Sequence, residues 1–429
     1  MLCFCSCRRG GGESIATTAM TEQTTASVPA QTQIYEFVMK LPFAQRYIPD
    51  QTESGRRLAE IYRDIELELG VRIKIEYSAG SEEYIPAAMA EKKYADVIGL
   101  RPYEIYSLAK RRYILSTDDA ILVKAGLNVN DQSRFYNGVA GQVTWEDKQW
   151  SLQIPSEYHL PSVGSFLLYN HGILSSLGEG NIKNLAETGK WTWQQYLDFS
   201  KAAAALGPDI SGSGIVDRMG AAFSCGGQLL TEKGGAWTVA ASQVPFSRGV
   251  SYLLEAISPA NNADRATAAA ELYQNFIDGK IAFLAVNGSI LEQNPLLLSA
   301  AGGVGVLPLP KNSELERYAS LTSDYQGFGF LSNYHDAQRG IPVFNALAAE
   351  LYRDDWSTLC AQGLGLEGRD CAVMSELVIE NSVFSKADYD PRIPNSVGEL
   401  LDGADYTYTP SLLSMAIEER ILALLANPR

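Results

Sequence analysis

The chain has 429 residues, 46% of them apolar and 20% charged, with 35 basic against 50 acidic side chains and a net charge of −15. That length exceeds what one hydrophobic core usually serves, so two domains are expected, and the apolar fraction excludes a disordered chain. The negative charge argues against nucleic-acid binding and against adsorption to anionic lipid, and no window reaches the roughly 18 uninterrupted apolar residues of a membrane span.

The first residues, MLCFCSCRRGGGES, hold Cys3, Cys5 and Cys7 and run into a Gly/Thr/Ser/Ala-rich stretch to about Gln33. Ser6-Cys7 followed by a flexible polar tether resembles the end of a lipoprotein signal, whose cysteine receives the lipid. The basic region and apolar core of such a signal do not precede it. Residues 1–33 therefore read as a truncated signal and tether, with Cys7 the lipid-anchor candidate; a tail without function is the alternative.

IYEFVMK (34–40) alternates and is β-rich, predicting a first strand. A helix is predicted over 55–69, with Leu58, Ile61, Tyr62, Ile65 and Leu69 on one face. VRIKIEYS (71–78) predicts a second strand, and 81–92 a helix whose start suits Ser81, Glu82 and Glu83. ADVIGL (95–100) reads as a buried parallel strand and EIYSLAKRRYI (104–114) as a helix. This rhythm predicts an α/β chain whose parallel sheet is covered on both faces.

Two strand-like runs follow, KQWSLQIPSEY (148–158) and VGSFLLYN (163–170), then helices over 172–177 and 193–205. In KWTWQQYLDFSKAAA, Thr192 is placed to accept from a backbone N–H near Gln194–Gln195 and cap the helix. A glycine-rich stretch (211–230) leads to helices over 247–258 and 264–278. Late strands are predicted within 278–289, 303–312 and 324–333, followed by an amphipathic helix over 342–356. Strands that return after a long helical middle imply that the chain crosses between two lobes more than once.

These blocks resemble, in order, segments of the extracellular solute-binding proteins of bacterial ABC importers, the group that includes maltose- and other sugar-binding proteins. The segments are ADVIGLRPYEIYSLAKRRYIL, LQIPSEYHLPSVGSFLLYN ending in Tyr169-Asn170, KWTWQQYLDFSKAAA, SCGGQLL, FIDGKIAFLAVNG and GVGVLPLPKN, across roughly residues 34–360. The resemblance implies a two-lobe periplasmic-binding-protein-like fold, each lobe a mainly parallel sheet flanked by helices. It assigns 34–157 plus 288–325 to the N-terminal lobe and 164–286 plus 331–429 to the C-terminal lobe. Hinges are expected near 157–164, 286–289 and 325–331. Trp191 and Trp193 are expected to brace the first helix of the second lobe rather than touch a ligand. The chain departs from the family where His171-Gly172 replaces lysine-aspartate. It departs again at Gly288-Ser289-Ile290, which removes an aromatic that sugar binders stack on the ligand.

The implied cleft would be lined by the C-terminal ends of strands. Arg101 and Tyr103 follow the ADVIGL strand and offer a planar fork and a stacking ring. Glu157, Tyr158 and His159 sit at the first expected hinge, where a carboxylate beside a ring suits a polyol. Asp217 and Arg218 lie in the glycine-rich stretch, Asn287 ends the LAVNG strand, and Tyr325 and Gln326 open the third hinge. Phe43 and Tyr47 are weaker candidates. Each of these residues has a structural alternative, as core, hinge or solvated loop.

Cys360 and Cys371 flank CAQGLGLEGRDC and read either as a disulfide or as two buried thiols. With three histidines and no Cys/His cluster, neither a metal site nor a cofactor is expected. No Gly-x-Ser-x-Gly or His-x-x-x-His arrangement supports hydrolysis, and the adjacent acid pairs point apart. The implied role is capture of a small polar solute, a carbohydrate foremost, by a monomer on the extracytoplasmic side of a membrane, followed by delivery to ABC permease subunits. A non-transport sensor or surface binder is the alternative, and a glycoside or peptide hydrolase the remoter one.

Overall fold

The computed structural model describes residues 34–427 except 91, 262, 264–267 and 323. The expectations for the tether and Cys7 lie outside the described residues, as does the start of the helix predicted from 264.

The segment from Tyr35 onward builds two four-stranded sheets. In the first, Tyr35–Leu41 runs parallel to Val71–Tyr77 on one side and to Val97–Leu100 on the other. Gly327–Gly329 closes that sheet antiparallel to Val97–Leu100, with Gly327 opposite Leu100. The second sheet has the order 304–308, 165–170, 281–287, 211–215. It is mixed rather than mainly parallel: Ser165–Asn170 is antiparallel to both neighbours, and only Ile281–Asn287 with Ser211–Ile215 is parallel.

Local chemistry explains the elements. Helix Glu53–Leu69 starts where Thr52 Oγ1 accepts from Gly55 N–H and stops at Gly70, whose φ of 64° lies in the left-handed region that glycine enters without strain. Helix Trp193–Ala204 opens on a capping box: the Thr192 side chain faces the Gln195 backbone N–H, as expected, and Gln195 Oε1 accepts in return from Thr192 N–H at 3.0 Å. Helix Ala337–Leu351 begins and ends earlier than predicted, carries Pro342 within it, and is followed by a separate helix, Trp356–Gly363. Most of the run 148–158 forms no strand. Its first two residues, Lys148–Gln149, pair with Thr144–Trp145 in a short hairpin, and single bridges join Leu152 to Phe328 and Ser156 to His159.

The central strands of the second sheet are buried on both faces, whereas the edge strand Val71–Tyr77 of the first has no buried residue. Along Ser165–Asn170, Leu167 and Tyr169 join a core with Trp191, Trp193 and Phe283, while Phe166 and Leu168 join another with Trp356 and Met374. Trp191 and Trp193 are thus core residues, and Trp193 Nε1 donates to Ser224 Oγ at 2.9 Å. In the first sheet, Phe37 and Met39 pack with Phe344 and Leu347.

The lobes are assembled differently from the expected division. Val304–Pro308 belongs to the second sheet, and residues 327–351 pack with the first. The chain therefore does not cross at 286–289, where the helix Gly288–Gln293 follows directly on the second sheet's own strand. It crosses through 153–164, again between 308 and 327, and a third time at 352–356. The crossings touch. Ser162 Oγ donates to the Asp324 carbonyl at 2.9 Å, and Arg353 N–H to the Pro155 carbonyl at 3.0 Å. At Gly164 a Cβ would stand 2.6 Å from the Leu321 carbonyl oxygen, so the close approach of two crossings requires glycine.

Candidate functional site

A crevice of about 510 Å³ lies where the crossings meet the two lobes. The first lobe supplies Arg46, and the first crossing Gln153, Glu157 and His159. The second lobe supplies Asn287, Ser289, Glu292, Cys360 and Leu364, and the second crossing supplies Leu321, Asp324 and Gln326.

Arg46 stands on the short helix Ala44–Tyr47 that follows the first strand; buried Ala44 and Tyr47 anchor the turn and leave the guanidinium exposed. His159 is buried against Phe43, with ring centres 4.7 Å apart and Nδ1 3.2 Å from the Tyr47 hydroxyl. Burial, helped by the Arg46 charge, pushes its pKa down to about 3, so the imidazole is neutral and offers one donor and one acceptor.

Acceptors dominate the crossing wall. Gln153 is only 7% exposed, and its Oε1 has no hydrogen-bond partner. Gln326 donates through Nε2 to Asp324 Oδ1 at 3.1 Å, and its Oε1 is also buried without a partner. Both oxygens are closed off from solvent in this arrangement, so a solute hydroxyl can reach them only if the wall shifts as it binds.

Of the residues singled out from the sequence, Glu157, His159, Asn287 and Gln326 reach the crevice. Two of these carry prior commitments. Glu157 is paired with Arg57 at 3.0 Å, and Asn287 Oδ1 caps the helix Gly288–Gln293 by accepting from Ile290 N–H at 3.0 Å.

The others are placed elsewhere. Tyr158 turns to the first lobe, its hydroxyl donating to the Ser54 carbonyl at 3.2 Å. Tyr325 is buried, its hydroxyl 2.8 Å from Ser151 Oγ. Asp217 caps the helix Arg218–Phe223, accepting from Gly220 N–H at 2.9 Å and from Ser165 Oγ at 2.5 Å. Burial raises its pKa, opposed by the bonds from Ser165, Gly220 and Asn287. Arg218 Nη1 donates to the carbonyls of Leu401 and Ala404 at 2.7 Å each, satisfying the end of helix Arg392–Gly403.

Arg101 and Tyr103 do not line the crevice. Arg101 precedes the helix Pro102–Lys110, whose buried Glu104 accepts from the Arg101 N–H at 2.8 Å. Partial burial pulls the Arg101 guanidinium down, and the Tyr103 hydroxyl with the Glu104 and Asp324 charges outweighs it, leaving its pKa raised. Cys360 and Cys371 are free buried thiols, not a disulfide; Cys360 Sγ donates to the Pro161 carbonyl at 3.5 Å.

Ser289, where the sequence lacks the stacking aromatic, does line the crevice, whereas Arg46, Gln153, Glu292 and Asp324 lie outside the sequence-based expectation. Arg46 lies between Phe43 and Tyr47, and Asp324 beside Tyr325, so the neighbouring positions had been reached without the residues that face the crevice. Among the described residues no three His, Cys, Asp or Glu side chains converge as a metal centre, and no helix is long and apolar enough to cross a membrane.

No protein-family model and no curated protein sequence matches the chain. Solved structures do match its fold. A probable secreted solute-binding lipoprotein from Streptomyces coelicolor superposes with a TM-score of 0.61 at 14% identity, over 91% of this chain and 99% of that one. An extracellular solute-binding protein from Staphylococcus aureus, solved with maltose, gives 0.60 at 11% identity over 90% and 97%. An ABC substrate-binding protein from Listeria monocytogenes, solved with cycloalternan, gives 0.52 at 13% identity over 92% and 100%. The chain has the two-lobed fold of these extracellular solute-binding proteins.

Proposed function

We propose that the protein is the extracytoplasmic substrate-binding component of an ABC importer. It captures a small hydroxyl-rich solute, a carbohydrate foremost, between its lobes and delivers it to the membrane permease. The observation that carries this reading is a crevice between the lobes whose lining is rich in hydrogen-bonding side chains, Arg46, Gln153, Glu292, Asp324 and Gln326 among them. A sugar hydroxyl donates to such acceptors and accepts in return from Arg46. Carbohydrate ligands in two similar structures, maltose and cycloalternan, support the class.

Closure would rotate residues 34–152 with 327–351 against 165–308 with 356–427, about the three crossings. With Ser289 at the strand end, this crevice lacks a stacking indole there, so hydrogen bonds carry more of the recognition than ring contacts. Cys7 would tether the protein to the membrane as a lipid anchor, which radiolabelled palmitate incorporation and its loss in Cys7→Ala would test.

The experiment is a thermal-shift and calorimetric screen of maltose, maltooligosaccharides and monosaccharides, with amino acids and peptides alongside. A stabilising sugar that also compacts the protein in small-angle scattering supports the reading. Stabilisation by amino acids or peptides alone overturns the carbohydrate class, and binding without compaction overturns closure.

A further inference from the structure

Three of the four edges of the two large sheets are closed from within the chain. Gly327–Gly329 exchanges two backbone bonds with Leu152 through Phe328, each at 2.8 Å, and Ser211–Ile215 is bridged at Ser213 by Ala263. Val304–Pro308 is largely buried, and Asp370 Oδ1 accepts from Val306 N–H at 3.0 Å. The fourth edge, Val71–Tyr77, pairs only with Tyr35–Leu41, and none of its seven residues is buried. It carries no proline, glycine or bulge of the kind that blunts an open edge.

Ile73 fixes which groups face outward. Its N–H goes to Glu66 Oε1 at 2.7 Å, so Ile73, Ile75 and Tyr77 turn their amides away from Tyr35–Leu41, while Arg72, Lys74 and Glu76 turn theirs toward it. Among the described residues nothing takes the outward N–H and C=O of Ile75. Side chains alternate in the same way. Arg72, Lys74 and Glu76 share one face, where Lys74 Nζ meets Glu76 Oε1 at 2.7 Å, and Val71, Ile73 and Ile75 pack against the first lobe's core on the other. Leu67 and Leu69, just before the strand, and Tyr77 at its end are exposed.

We propose that this edge is the contact through which two copies of the chain pair, strand to strand and antiparallel, about a two-fold axis at Ile75. In that register Ile75 lies opposite the partner's Ile75, Ile73 opposite the partner's Tyr77, and Lys74 opposite the partner's Glu76. The outward amides form about six backbone bonds, and Glu66 gives up the Ile73 N–H to the partner's Tyr77 carbonyl. Lys74 and Glu76 fall on the closely spaced pairs that make no backbone bond between the copies, where opposite charges attract at the shortest range. An axis at Lys74 would set two lysines face to face, and one at Ile73 would set Arg72 against Lys74, so charge selects the register. No residue of the strand lines the crevice, and pairing leaves solute capture free. A strand edge with three flanking apolar side chains is small beside the roughly 800 Å² per partner of a tight interface, so association is expected in the micromolar range.

Sedimentation equilibrium of the solute-free chain from about 1 to about 200 µM tests the pairing. The expected result is a reversible monomer–dimer equilibrium, with hydrogen exchange at Ile75 slowing as the concentration rises. Lys74→Glu and Glu76→Lys each place like charges opposite one another across the axis and should weaken dimerisation about tenfold or more. Mixing the two variants in equal amounts should restore it, because each supplies the charge that the other needs. A chain that stays monomeric throughout the range overturns the proposal. So does a dimer that neither reversal weakens, or one that mixing fails to restore. Lys40 lies 3.4 Å from the Glu76 carboxylate, so Glu76→Lys also meets a cation within its own lobe. If that variant does not fold, Lys74→Glu alone decides, and an unweakened dimer overturns the pairing. The experiment uses no solute, and its failure leaves the solute-capture reading untouched.

Discussion

The Nδ1 atom of His159 lies 3.2 Å from the hydroxyl of Tyr47, in a niche closed by Phe43, and that burial keeps the imidazole neutral on the wall of the crevice. Its pKa in the folded protein, about 3, is below the ordinary value of 6.5, so between these limits the unfolded chain binds a proton that the folded one refuses. The contribution of His159 is complete above pH 6.5 and is lost as pH falls toward 3, at about 1.4 kcal/mol per pH unit. Urea unfolding at steps from pH 7 to pH 4 should show the advantage of the unaltered protein over His159→Gln shrinking as the solution is acidified. Parallel profiles for the two would sink this account of the niche.

Asp388 has the opposite sign. Burial raises its carboxyl from 3.8 to about 8, and its Oδ2 has no hydrogen-bond partner. The folded state therefore holds a proton that the unfolded chain releases, and stability from this group is lost as pH rises from about 4 to 8. Asp388→Asn removes the ionisable group, so the variant should gain on the unaltered protein across that window, by up to about 1.4 kcal/mol per pH unit. Thermal unfolding at pH 5 and pH 8 reads the difference, and an equal effect at both would show that ionisation is not its cause.

Periodicity made the helices and most strands legible, because helix Glu53–Leu69 buries Leu58, Tyr62 and Ile65 at helical spacing and strand Val97–Leu100 is an unbroken buried apolar run. Which lobe a late strand joins was not legible. Val304–Pro308 and Gly327–Gly329 are both short and wholly or mostly buried, and only their partners, Ser165–Asn170 and Val97–Leu100, distinguish them. The site was half legible for a similar reason. Strand ends and crossings pointed to the right stretches, but Asp217 and Asn287 look alike in sequence as polar residues before a helix. Both are caps, and only one also reaches the crevice. Cys360 and Cys371 show the limit plainly, since loop length alone leaves a bond and two thiols equally open.

The cap at Asp217 can be separated from solute contact. Asp217→Ala frees the Gly220 N–H and leaves the Ser165 hydroxyl only its longer bond to the Leu321 carbonyl at 3.3 Å, which should cost about 1–3 kcal/mol of stability. Gln326→Ala, on the crevice wall, should leave the melting temperature nearly unchanged while weakening sugar binding. Should Asp217→Ala melt normally and lose affinity instead, the aspartate belongs to the site and not to the helix.

The two orphan amide oxygens make the strongest demand on the ligand. If Gln153 Oε1 and Gln326 Oε1 each take a hydroxyl from one bound sugar, each substitution to alanine removes a hydrogen bond made only in the complex, weakening affinity about tenfold. The double variant then reports whether one molecule spans both. Two contacts on a rigid solute position each other, so losing one should misplace the other, and the combined loss should be less than the product of the single losses. Calorimetry on the four proteins closes that cycle. Strict multiplicativity would assign the glutamines to independent parts of the solute, and no loss in either single variant would remove the crevice wall from solute recognition.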